Sequence, residues 1–132
     1  MPYNSDPTTP IGAYKAIIDQ LVEETTPGLS ERRVRDDGVY SNSPSDAAAN
    51  ALVKSLSAEQ RKVLAEMLHE ERVSAIHGVL ANLTWWMCCR EVGLTFRGQP
   101  MPFELSGEGL HGDYIGRIND WQWPKDDAAP RG

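Results

Sequence analysis

The sequence is poor in cysteine, with two residues among 132, and they are neighbours: Cys88 and Cys89. Adjacent helical residues point about 100° apart, and a bridge between them is strained. A disulfide framework is therefore excluded, and a reducing, cytoplasmic location is expected. The pair does not form a C-x-x-C motif either. It reads as two small apolar side chains on a buried helix, with a reactive thiol as the other reading and Arg90 as the nearest cation in sequence. The chain lacks any apolar run near the ~18–20 residues that span a bilayer, so no membrane segment is expected. Its first residues carry neither a basic n-region nor an apolar h-region, so no secretory signal is expected. Positive charge is also short, with 13 Lys and Arg against 19 Asp and Glu and a net charge of −6. A general nucleic-acid binder needs the opposite balance, so no nucleic-acid partner is expected.

What is present is helical grammar. The opening residues, 1–9, read as an arm. Thr9-Pro10 starts a helix, with Thr as N-cap and Pro at the first helical position. Ile11, Tyr14, Ile17, Ile18, Leu21 and Val22 continue it at helical spacing. Ser30 is placed to cap a short turn through Arg32, Arg33 and Arg35, ended by Gly38. That arginine cluster reads as a charge-balanced turn beside Glu31, Asp36 and Asp37, or as a phosphate holder. Ser43-Pro44 opens an alanine-rich helix. The strongest start is Ser57, where Ser57 and Gln60 form a capping box. From there a helix of ~35 residues is predicted to about residue 92, roughly 50 Å long, with Gly93 as its stop and Gly78 as the place for a kink or break. Beyond it, residues 94–97 and 101–105 flank Gly98-Gln99-Pro100 as a small edge hairpin. A Gly-rich loop follows, then a last helix over residues 114–121 capped by Asp113, and a tail from residue 124.

The fold class expected is mainly α: a single domain with a bundle of about four helices around one long helix, a minor C-terminal β-hairpin and a Gly-rich loop. Residues 10–92 form the helical core and residues 93–123 the hairpin, loop and last helix.

On the wheel of the long helix, Leu64, Leu68, Ala75, Val79 and Trp86 make a core stripe, flanked by Met67, Arg72, Ile76 and Leu83. Glu71 falls inside it. A carboxylate there must be paired, protonated or exposed at a break in packing. The readings are an ion pair with Arg32, Arg33 or Arg35 across the bundle, an exposed gap near the end of a neighbouring helix, or a functional carboxylate in a pocket. Glu66, Glu70 and His77, with His69 nearby, form the opposite polar face. Glu66-x-x-His69 has the spacing of di-iron bundle ligands but points away from the stripe.

Gly107-Glu108-Gly109-Leu110-His111-Gly112 spells G-x-G-x-x-G. It lacks the βαβ unit and the later acidic residue of a dinucleotide site, so no cofactor is expected. Its titratable residues lead elsewhere. Glu71, His111 and Asp113 are the candidate catalytic residues of a small enzyme, with His77 and His111 as weak metal candidates. Such a site would lie between the long helix and the loop. The leading reading is instead a non-enzymatic interaction protein, a homodimer with a possible further protein partner. Its ligand or interface residues would be Trp85, Trp86, Tyr114, Arg117, Trp121 and Trp123, because tryptophan concentrates at hot spots.

Overall fold

The computed structural model describes residues 6–26 and 28–125. The first five residues of the expected arm, Pro27 and the tail beyond residue 125 lie outside the described residues. The architecture is mainly α, with a two-stranded antiparallel hairpin near the C-terminus. The elements are α1 (Pro10–Glu24), α2 (Leu29–Arg32) running into a π-turn (Arg33–Asp37), a 3-10 turn (Pro44–Asp46) leading into α3 (Ala47–Ser55), α4 (Ala58–Cys89), β1 (Thr95–Phe96), β2 (Gln99–Pro100) and α5 (Gly109–Ile118). The chain divides into two compact units, and the division falls within α4.

Local chemistry explains the helix starts. Thr9 caps α1, its Oγ1 accepting the Gly12 N–H at 3.0 Å. At α4 the capping box is complete: Gln60 N–H reaches Ser57 Oγ at 3.1 Å, and Ser57 N–H reaches Gln60 Oε1 at 2.9 Å. Together these bonds satisfy donors that a helix N-terminus leaves orphaned. At α2 the expected Ser30 cap is replaced by Gly28. The Glu31 carboxylate reaches back to the Gly28 N–H at 2.6 Å.

The unit Glu24–Ser74 has its core where Val34, Val53 and Ala65 meet, with Tyr40, Leu64 and Leu68 packed against them. Asn50 pins the preceding loop. Its Oδ1 accepts the N–H groups of Tyr40 and Ser41 at 2.6 and 3.1 Å, and its Nδ2 donates to the Ser41 carbonyl at 2.8 Å. Gly38 sits at φ 69°, a conformation that residues other than glycine rarely adopt, so the turn favours glycine there, and the Arg61 guanidinium fills the space beside it.

The other unit, Met1–Glu23 with Ala75–Gly132, buries Ala13, Tyr14 and Ile18 of α1, Leu80 and Met87 of α4, Met101, and Leu110 and Tyr114 of α5.

Helix α4 runs unbroken through Gly78 and ends at Cys89, three residues short of the expected last residue, 92. Its last turn closes because Glu91, not Gly93, takes the left-handed conformation (φ 59°), which lets the Val92 N–H reach the Trp86 carbonyl at 3.3 Å. The hairpin is shorter than expected and its second strand lies earlier. Thr95 faces Pro100 and Phe96 faces Gln99 across Arg97-Gly98, both at positive φ as a two-residue turn of this hand requires. The last helix is also shifted. It begins at Gly109 and ends at Ile118, so Asp113 lies in its interior and caps nothing.

The stripe expected on α4 holds only at its N-terminal end. Leu64 and Leu68 are half-buried, but Val79 is 62% exposed, and Met67, Leu83 and Trp86 are exposed as well. Taken over its whole length, α4 does not keep its apolar residues on one side. A single stripe would serve a helix that meets one core; α4 contributes Ala65 to one unit and Leu80 and Met87 to the other.

Candidate functional site

The richest polar geometry lies in the unit built from α1, the second half of α4 and α5. Asp113 is fully buried at 0% exposure. Its Oδ2 accepts the Tyr14 hydroxyl and the Leu105 N–H, the latter at 2.8 Å, and its Oδ1 accepts the Ser106 N–H at 2.8 Å. Among the described residues no cation forms an ion pair with it. Three donors hold the carboxylate, and through it α5 is tied to α1 and to the loop before α5. Burial, then the hydrogen bond and the negative charge of Asp113, pushes the Tyr14 phenol far above its ordinary range. Asp113 is sealed from any ligand, so its place is structural.

The loop that spells G-x-G-x-x-G is mostly helix. Gly109 sits at φ 89°, and a Cβ on it would strike the Thr84 methyl. This close approach lets the Thr84 hydroxyl accept the Leu110 N–H at 3.0 Å while donating to the Leu80 carbonyl at 2.8 Å. A threonine on α4 thereby serves as the cap of α5.

Beside it, the rings of His77 and His111 meet edge to face at 5.1 Å. A cavity of about 370 Å³ opens there, lined by both histidines with Glu108, Gly112, Ile115 and Gly116. Among the described residues no three His, Cys, Asp or Glu side chains converge to hold a metal. His77 is half-buried rather than part of a solvated face.

A second aromatic network closes residues 117–123 back on α1. Arg117 pairs with Asp19 at 2.7 Å and donates to the Trp121 carbonyl at 2.6 Å. Trp123 Nε1 donates to the same aspartate at 2.9 Å, and its ring meets Tyr14 and Trp121 edge to face. Tyr114 is fully buried. Of the six aromatic and arginine residues expected at an interface, Tyr114, Arg117, Trp121 and Trp123 are thus engaged inside their own unit. Trp85 and Trp86 stand exposed, stacked edge to face at 5.3 Å, with Arg90 over Trp85.

In the unit Glu24–Ser74, neither the ion pair nor the pocket expected for Glu71 is found, and the exposed alternative is the one observed. Glu71 is exposed, and the buried carboxylate is Glu31, 3% exposed. Arg72 meets it at 3.0 Å, and His69 Nδ1 stands 3.7 Å away. Helix α4 supplies the cation and α2 the anion, the reverse of the expected pairing. A cavity of about 250 Å³ lies beside this pair, lined by Glu31, Arg35, Ala65, Glu66, His69 and Glu70. Arg35 itself bonds its neighbour Asp36 at 2.9 Å on the surface.

The catalytic candidates fall in different units. Glu71 is exposed in one unit; in the other, His111 lines a cavity and Asp113 is sealed in the core. Sequence reasoning missed Glu31, Thr84 and Asn50. Only Glu31 carried a signal, its position three residues after Gly28 at a helix start.

No helix among the described residues is long and apolar enough to cross a membrane. No curated protein and no solved structure matches the chain. The model of a family of unknown function, DUF6547, matches residues 7–125, and the chain belongs to that family.

Proposed function

We propose that this protein is a non-catalytic interaction module of the cytoplasm that pairs with a second copy of itself through the C-terminal half of α4. One observation carries the reading: the bare stripe of Val79, Leu83 and Trp86, at i, i+4 and i+7 on one helix side. Scattered exposed apolar residues are ordinary, but a contiguous row of large ones marks a contact surface.

The stripe is self-complementary. Its bulky end is Trp86, and its small end is Ala75 with Gly78. Among the described residues nothing lies within 4 Å of where a Gly78 Cβ would stand, so neither a kink nor a close contact with them accounts for this glycine. A two-fold pairing of antiparallel helices seats each Trp86 over the partner's Ala75 and Gly78, centred near Asn82. That is the isologous geometry of most dimers. Exposed Trp85, Val92 and Leu94 lie close in sequence and enlarge the apolar surface towards the roughly 800 Å² per partner that a stable interface needs.

Sedimentation equilibrium at micromolar concentration tests this. The expected mass is twice 14.6 kDa. Leu83→Glu and Gly78→Leu should each return the monomer with the helical circular dichroism unchanged. A wild-type monomer at tens of micromolar overturns the reading, as does a dimer that survives both substitutions.

A further inference from the structure

Cys88 and Cys89 close the last turn of α4, and both are exposed, against the expectation of two buried apolar side chains. Their sulfurs stand 3.1 Å apart. We propose that this vicinal dithiol is a chelating site for a soft, thiophilic centre, with trivalent arsenicals the class that fits it.

Three features support this. The first is the span between the sulfurs. An atom holding two sulfurs at bonds of about 2.3 Å separates them by roughly 3.3 Å at a right angle and ~3.8 Å at a tetrahedral one. The observed separation suits the narrow angle of a pyramidal centre with a lone pair. Zinc, besides the wider angle, needs further ligands, and among the described residues no third one joins the pair.

The second is that the pair does not readily consume itself. Neighbouring Cα atoms lie about 3.8 Å apart across a trans peptide, inside the ~4.4 Å lower bound of ordinary disulfides. Oxidation to a bridge would distort the helix end, whereas insertion of a larger atom between the sulfurs would not.

The third is protonation. Each sulfur binds as its thiolate, so a centre that takes both must have its two protons carried away. An arsenous oxide brings its own oxygen to receive the protons. In that step the two S–H bonds and the arsenic–oxygen bonds break, two arsenic–sulfur bonds form, and one water leaves. Arsenic stays trivalent, and no electrons change hands.

The site does not depend on self-association, and its test is separate. Full-length protein, reduced and freed of reductant, is treated with phenylarsine oxide and weighed intact. The expected product is one phenylarsenic group per chain, added with loss of one water. It should survive excess 2-mercaptoethanol and be removed by 2,3-dimercaptopropanol. Cys88→Ser and Cys89→Ser should each lose the monothiol-resistant adduct while keeping the wild-type circular dichroism. No resistant adduct on the wild-type chain overturns the proposal. So does an adduct that either single variant retains, because it would show that the two sulfurs do not act together.

Discussion

Among the described residues each unit buries one carboxylate, and the two are held in opposite ways. Glu31 is answered by a cation: Arg72 at 3.0 Å, backed by the Gly28 N–H at 2.6 Å. Asp113 is answered by neutral donors alone, the Tyr14 hydroxyl and two backbone N–H groups. The difference follows from depth. Arg72 keeps about a third of its side chain in solvent, so the ion pair at Glu31 retains an exit to water and its desolvation penalty is modest. Asp113 and Tyr14 have no such exit. A long cation brought to that depth would be stripped of water, whereas donors already fixed by the fold are not. A charged partner thus suits a site at the edge, and fixed dipoles suit the centre.

The harshest way to break the comparison is to remove the acceptor at the centre. Asp113→Leu strands the Tyr14 hydroxyl and two N–H groups in the core, and a loss of about 3–5 kcal/mol is expected. Urea denaturation would measure it. Asp113→Asn keeps the shape but turns an amide NH2 towards a donor, so it should cost about 2 kcal/mol. If the leucine variant were as stable as wild type, the carboxylate would not be what ties the loop and α1 to α5.

At the edge, the two partners should not be equivalent. Arg72→Met leaves a charged Glu31 without its cation, at about 2–3 kcal/mol, a figure held below the range for fully buried pairs because water can enter. Glu31→Gln leaves the Gly28 bond possible and Arg72 free to solvate, at about 1 kcal/mol. The double variant should cost less than the sum of the two. Equal single effects and strict additivity would mean that Glu31 and Arg72 are neighbours without coupling.

The two sites also differ in how far the sequence announced them. The helix starts were legible, because Thr9, Ser57 and Gln60 act on residues three places away and need no tertiary partner. The long helix and the mainly α class followed from the same local rules. Glu71 was misplaced because the wheel assumed one core along the whole of α4. With the stripe buried only near its start, a residue at Glu71's angle is free to meet solvent. Asp113 looked like a cap because it follows glycines. The true start of α5 depends on Thr84, 26 residues away in sequence, and no local pattern reveals that bond. Cys88 and Cys89 were legible as a pair that forms no disulfide framework. Their exposure was not, since it depends on which side of α4 the unit covers.

The gentlest probe of the comparison uses pH. The folded Tyr14 phenol titrates above its unfolded value, raised first by burial and then by Asp113. Its contribution to stability is therefore complete below about pH 10, the ordinary tyrosine value. Above that pH the unfolded chain releases the proton while the folded chain keeps it. Stability then falls by up to ~1.4 kcal/mol per pH unit from this residue, until the folded phenol ionises too. Tyr14→Phe removes the effect at a cost of about 1 kcal/mol at neutral pH, because Asp113 Oδ2 retains the Leu105 N–H. Denaturant melts between pH 8 and pH 11 should show the wild type losing stability more steeply than Tyr14→Phe, with the two curves converging at the alkaline end. Arg72→Met should keep the wild-type slope, since its ion pair carries no tyrosine proton. Parallel curves for wild type and Tyr14→Phe would mean that the phenol reaches water in the folded protein, and the contrast between a wet edge and a dry centre would fail at Tyr14.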